Sequence, residues 1–94
     1  MEVDYSNPDL ASALDCYDDW HRMLARSARA IKAGDAATAG RMATVLRLVA
    51  EDLARYASGL VSGGCVNEAR FVTHLHRWCE EGTDGVVHAI RNMA

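Results

Sequence analysis

The sequence predicts an all-α fold: a long antiparallel helical hairpin followed by two shorter C-terminal helices, in a single domain over residues 1–94. Three observations lead to this prediction. Alanine supplies 16 of the apolar residues, which favours helix. A single proline, a single phenylalanine and few β-branched residues disfavour a sheet. Apolar residues also recur at spacings of three and four along most of the chain, the period of an amphipathic helix.

The first predicted helix spans about residues 8–33. Asn7 is a suitable N-cap, Pro8 fits the first helical turn, and Gly34 can close the helix in a left-handed conformation. Its apolar stripe alternates spacings of four and three, and Trp20, Met23 and Cys16 widen it to about half of the helix circumference. So wide a face predicts two helix neighbours. The stripe consists of Leu10, Leu14, Tyr17, His21, Leu24, Ala28 and Ile31.

The second predicted helix spans about residues 36–61, with Asp35 as its N-cap and the glycine pair at 63–64 as its end. So short a connection to the first helix predicts the antiparallel hairpin. Leu48 projects away from the stripe on the same side as Val45, which predicts a small contact patch. The stripe consists of Ala39, Met42, Leu46, Val49, Leu53, Tyr56 and Leu60.

In the C-terminal third of the sequence, the spacing of apolar residues predicts two helices, at about 68–81 and 84–93. Asn67 is the expected N-cap of the first, Gly82 its end, and Thr83 the cap of the second.

The size of the hairpin predicts a homodimer. A helix of about 26 residues is roughly 39 Å long, whereas a compact chain of this size has a radius of gyration of about 12 Å. The short C-terminal helices would cover only part of the hairpin, so a second copy is expected to complete the bundle. The alternative is a closed, monomeric bundle of four helices.

Charge and cysteine content indicate the compartment and the partner. The first residues, MEVDYSNPDL, lack the features of a signal peptide, no stretch is long and apolar enough for a membrane span, and three widely spaced cysteines do not form a disulfide framework. We therefore expect a cytoplasmic chain with no membrane contact. Residues 1–19 carry six acids and no base, so a solvated acidic helix start or an acidic docking patch is expected. The net charge of −3 and the acids that interrupt the arginine stripes disfavour direct nucleic-acid binding.

Catalytic and cofactor motifs are missing from the sequence, so no enzyme activity and no cofactor are predicted. A less favoured alternative is a Cys/His metal or thiol protein. His76, Cys79 and Glu80 share one side of a helix, but a tetrahedral metal site would also need Cys65 or Cys16. Cys65 precedes a helix and is the best candidate for a reactive thiol.

These features predict a small non-enzymatic regulator that binds and occludes another protein, such as an antiactivator that sequesters a bacterial transcription factor. The alternative is an export or secretion chaperone that shields a client helix; the stretch AIKAGDAATAGRM, at residues 30–42, resembles that class over this one loop. Aromatic and large apolar residues dominate binding energy at interfaces. The interface candidates are Tyr17, Trp20, Met23, Leu24, Leu48, Phe71 and Trp78.

Overall fold

A computed structural model describes residues 2–93 of the chain, and this part contains three long helices and no strand. Helix α1 spans Pro8–Lys32, α2 spans Ala36–Ser62 and α3 spans Val66–Arg91. The predicted all-α class is therefore confirmed. The molecule is elongated, with extents of 47 × 19 × 17 Å and a radius of gyration of 14.8 Å.

Local capping explains where α1 and α2 begin and end. The Asn7 side chain accepts hydrogen bonds from the backbone N–H groups of Asp9 at 2.9 Å and Leu10 at 3.3 Å. Asp35 accepts one from the N–H of Thr38 at 3.1 Å. Both caps satisfy donors that a helix start leaves without partners. The chain leaves α1 and α2 through Gly34 and Gly64, whose positive φ angles of 73° and 77° favour glycine.

The prediction of two short C-terminal helices was wrong, because α3 continues through Gly82 and Thr83. Gly82 packs against the indole of Trp20: a Cβ at this position would lie 3.0 Å from Cζ2 and closer still to Cη2. Thr83 donates its hydroxyl to the carbonyl oxygen of Cys79 one turn earlier, at 2.8 Å, and so bonds within the helix instead of capping a new one. The glycine therefore marks a close helix contact and not a helix end.

Helix α2 makes extensive contact with both α1 and α3, while α1 and α3 share a smaller contact. The two neighbours predicted for the wide apolar face of α1 are thus α2 and α3. The buried face of α2 alternates alanine and leucine, and the small side chains let neighbouring helices approach closely. The predicted stripe contained Met42, Val49 and Tyr56, but these three residues are half-buried, and alanines occupy the fully buried positions beside them. The face consists of Ala39, Ala43, Leu46, Ala50, Leu53, Ala57 and Leu60.

The buried face of α1 is rotated from the predicted stripe. His21 and Ala28, which the stripe placed at its centre, are exposed, while Trp20 and Ser27 are buried in their stead. Ser27 satisfies its hydroxyl by donating to the carbonyl oxygen of Leu24 at 2.7 Å. The rotation follows from packing, because α1 must present the indole of Trp20 to Gly82 on α3.

Candidate functional site

The seven interface candidates fall into three groups. Leu48 and Trp78 are each 56% exposed, on α2 and α3. Trp20 is buried in the core. The remaining four are half-buried and pack against that core: Tyr17, Met23, Leu24 and Phe71.

Trp20 does not face solvent and is only 3% exposed. Its ring packs against Gly82, and its Nε1 finds no hydrogen-bond partner within residues 2–93. Exposure of Trp20 to a partner would require α1 and α3 to separate. Its assignment as an interface residue is therefore replaced by a role in holding these two helices together.

Tyr17 lies next to Trp20 at the edge of the same packing region. Its ring meets the ring of His21 edge-on, with centroids 4.5 Å apart. Burial, followed by the nearby Cys79 and Asp18, raises the pKa of the Tyr17 phenol. The hydroxyl therefore stays protonated at neutral pH and offers a hydrogen-bond donor rather than a charge.

A groove between the end of α2 and the first half of α3 combines apolar and basic side chains. Val61 and Val66 are 63% and 53% exposed, and no carboxylate side chain of residues 2–93 lines the groove. Sequence reasoning missed both valines. The sequence feature that could have identified them is that both are apolar, lie outside the predicted stripes and stand on either side of the glycine turn. We call this feature the α2–α3 groove; its lining consists of Val61, Val66, Ala69, Arg70, Thr73, His74 and Arg77.

Trp78 immediately follows the last lining residue of the α2–α3 groove. Residues 70, 74, 77 and 78 share one side of a helix by their spacing. Trp78 itself is not one of the lining residues, but it lies on this side of α3, one residue beyond the groove.

Leu48 is an exposed apolar side chain on the outer side of α2, separate from the α2–α3 groove. Val45, one turn earlier, is half-buried, and the exposed residues around them are polar or charged. Arg55 pairs with Asp52 on this surface. The predicted patch of Leu48 and Val45 thus lies on the outside of the molecule, surrounded by charge.

A polar cleft of about 250 Å³ lies between the middle of α2 and α3. Within it, His76 Nδ1 lies 3.2 Å from Glu80 Oε1. Among the described residues that line it, Thr83 alone carries a hydroxyl. This group is buried and donates to the backbone, so it is poorly placed to act as a nucleophile. The cleft is lined by Arg47, Ala50, Glu51, His76, Glu80, Thr83 and Asp84.

The side chains considered for a metal site do not converge. His76 and Glu80 line the polar cleft, whereas Cys79 lies fully buried in the core. Burial, followed by the nearby Cys16, raises the pKa of the Cys79 thiol to about 12, which disfavours the thiolate that a metal requires. No group of three or more His, Cys, Asp and Glu side chains within residues 2–93 is placed to hold a metal ion.

The three cysteines differ in their surroundings. Cys65 is half-buried at the turn between α2 and α3, where its Sγ accepts a hydrogen bond from Asn7 Nδ2 at 3.4 Å. Cys16 is also half-buried and donates to the carbonyl oxygen of Val49 at 3.5 Å. Burial, followed by the negative charges of Asp52 and Asp19, raises the pKa of Cys16.

These surroundings predict an order of thiol reactivity. At a pH of about 8, we expect iodoacetamide to modify Cys65 first, Cys16 slowly and Cys79 only when the protein unfolds, because the thiolate is the reactive form. A rise in pH should accelerate modification of Cys16, since the raised pKa leaves it mostly protonated at neutral pH. Peptide mass spectrometry over time measures each rate. Equal rates for Cys79 and Cys65 in the folded chain would contradict this assignment.

No helix within residues 2–93 has the length and apolar character needed to cross a membrane. Comparison of the chain with protein-family models, curated proteins and solved structures finds no match.

Proposed function

We propose that this protein is a non-enzymatic cytoplasmic regulator that binds and occludes another protein, as an antiactivator sequesters a bacterial transcription factor. The observation that carries the proposal is the exposure of large apolar side chains on the outer surfaces of α2 and α3. Val61 and Val66 line the same groove, and Trp78 is a third exposed large side chain farther along α3. Contiguous exposed apolar side chains are typical of protein-interaction surfaces.

The proposed mechanism is steric. The outer side of α3 would dock on the surface that the partner uses to dimerise or to reach DNA, with Trp78 as its anchor. An exposed indole gains much from burial at an interface, and tryptophan is enriched among residues that dominate binding. Phe71 is half-buried and packs against the core, so we do not expect it to be an anchor.

A finer part of the proposal is that α1 and α2 form an antiparallel hairpin and that two copies associate. Support for the second copy now comes from Leu48 with Val45, since α2 and α3 already cover the wide face of α1. We expect light scattering after size exclusion to give a dimer for the wild type and a monomer for Leu48→Asp. A monomeric wild type would contradict the dimer and leave the regulatory function standing.

Co-purification tests the regulatory function. The tagged chain, produced in cells that natively encode it, should recover one protein at near-stoichiometric yield, and Trp78→Ala should reduce that yield at least about tenfold, the loss typical of an anchor residue. Tyr5→Ala is the matched control, because Tyr5 is an exposed aromatic residue that precedes the three helices. Failure to recover any protein at such yield would contradict the function.

An export or secretion chaperone is the second candidate. The feature that favours it is the α2–α3 groove, which is open in the single chain and has apolar side chains in its lining. The two functions differ in what they bind. An antiactivator binds a folded partner and lowers its DNA affinity, whereas a chaperone binds an isolated client helix and leaves the folded client alone.

A further inference from the structure

The apolar base of the α2–α3 groove lacks a partner within residues 2–93. Val61 on α2 and Val66 on α3 flank the glycine turn, and both expose more than half of their surface. Ala69, the next lining residue, is buried and small. A concave apolar strip of this kind is complementary to a rod-shaped apolar ridge, which is what one face of an amphipathic helix presents.

The rim of the same groove is basic. Arg70, His74 and Arg77 follow one another along α3 at helical spacing, and all three are exposed. Neither arginine forms an ion pair with a carboxylate of residues 2–93, although Glu81 lies one turn beyond Arg77. The overall charge of the chain is −3, so this strip of positive charge is local. Guanidinium groups without partners beside an apolar strip are suited to carboxylates of a docked chain.

We propose that the α2–α3 groove binds an acidic amphipathic helix of another protein, with its apolar ridge on Val61 and Val66 and its carboxylates on Arg70 and Arg77. This inference rests on the proposed function and names the chemistry of the partner. Charge complementarity carries it, because carboxylates that border the apolar ridge would meet the two guanidinium groups.

The acidic residues of a second copy do not fit this description. The acidic part of the chain, residues 2–19, includes the start of α1, but α1 exposes no large apolar side chain, and the exposed Tyr5 lies outside the helix. Its exposed side is polar. The occupant therefore comes from a different chain, in which acidic and apolar residues share one helix.

A membrane surface and a nucleic acid suit the groove less well. A bilayer is flat at this scale, whereas the valines border a depression that also includes the buried Ala69. Nucleic-acid binding needs many phosphate contacts, and the groove offers two permanent positive charges.

A pair of designed peptides tests the proposal. The first is a labelled amphipathic helix of about 18 residues, or about five turns, with a leucine ridge bordered by glutamates. The second has every glutamate replaced by lysine. Fluorescence anisotropy should show that the acidic peptide binds at least about tenfold more tightly than the basic one, and that added salt weakens its binding.

Charge reversal locates the binding site. The double variant Arg70→Glu/Arg77→Glu should bind the acidic peptide at least about tenfold more weakly than the wild type. The matched control Arg26→Glu/Arg29→Glu makes the same change in net charge at exposed positions of α1, outside the groove, and should retain binding. Urea unfolding checks that both variants fold, which we expect since all four arginines are exposed.

Several outcomes would overturn the groove assignment. These are equal affinity for both peptides, unchanged affinity in the Arg70→Glu/Arg77→Glu variant, and binding to phosphatidylglycerol vesicles or a DNA oligonucleotide in preference to the acidic peptide. Self-association that this variant abolishes would assign the groove to a second copy instead.

The groove assignment and the regulatory function can fail separately. If the native partner co-purifies equally with the wild type and with Arg70→Glu/Arg77→Glu, the regulatory function stands and the groove assignment is wrong. If no partner co-purifies but the acidic peptide binds as expected, the groove assignment stands and the regulatory function is wrong.

Discussion

Replacement of Gly82 by alanine should lower the free energy of unfolding by about 1–2 kcal/mol, although alanine is the better helix former. An added Cβ would overlap the Trp20 ring, which is buried and rigid and so cannot move aside cheaply. Overpacking of this kind costs about 1–3 kcal/mol, and the gain in helix propensity returns up to about 1 kcal/mol. Urea unfolding followed by circular dichroism measures the difference.

Gly85→Ala is the matched control on the same helix. A Cβ at Gly85 meets no atom within 4 Å, so only the propensity gain remains and the variant should be more stable by about 0.5–1 kcal/mol. The two substitutions are chemically identical and should have opposite signs. Stabilisation by both would show that the ring of Trp20 does not pack against Gly82.

Replacement of Trp20 by alanine should lower the free energy of unfolding by about 3–5 kcal/mol, the cost of emptying a large buried site. Trp78→Ala, the same change at an exposed position, should cost less than about 1 kcal/mol. The pair separates the tryptophan that stabilises the fold from the tryptophan proposed to bind a partner. Urea midpoints and slopes give both values.

A double substitution tests the contact itself. In the Trp20→Ala background, Gly82→Ala no longer meets an indole, so it should become stabilising by the propensity gain of up to about 1 kcal/mol. This change of sign is the coupling expected of two residues that touch. Additive effects in the double variant, or an equal loss of stability in Trp20→Ala and Trp78→Ala, would contradict the burial of Trp20.

The structure shows how exposed each interface candidate is. Leu48 and Trp78 are exposed, as an interface requires, but their role in binding stays a prediction. Trp20 is an interface candidate from sequence because aromatic residues dominate binding energy, yet its ring packs in the core. Val61 and Val66 were overlooked because a groove arises from two helices that meet, and neither helix alone displays it.

The features that the sequence determined are local ones. It determined the helical class and the ends of α1 and α2 to within one residue, because an Asn or Asp cap and a glycine turn act over a few neighbouring residues. Tertiary packing decided the continuity of α3, the rotation of α1 and the place of the groove. A glycine such as Gly82 can end a helix, or it can make room for a large side chain of a neighbouring helix. Here it makes room for Trp20, which is distant in sequence and becomes adjacent only when the helices pack.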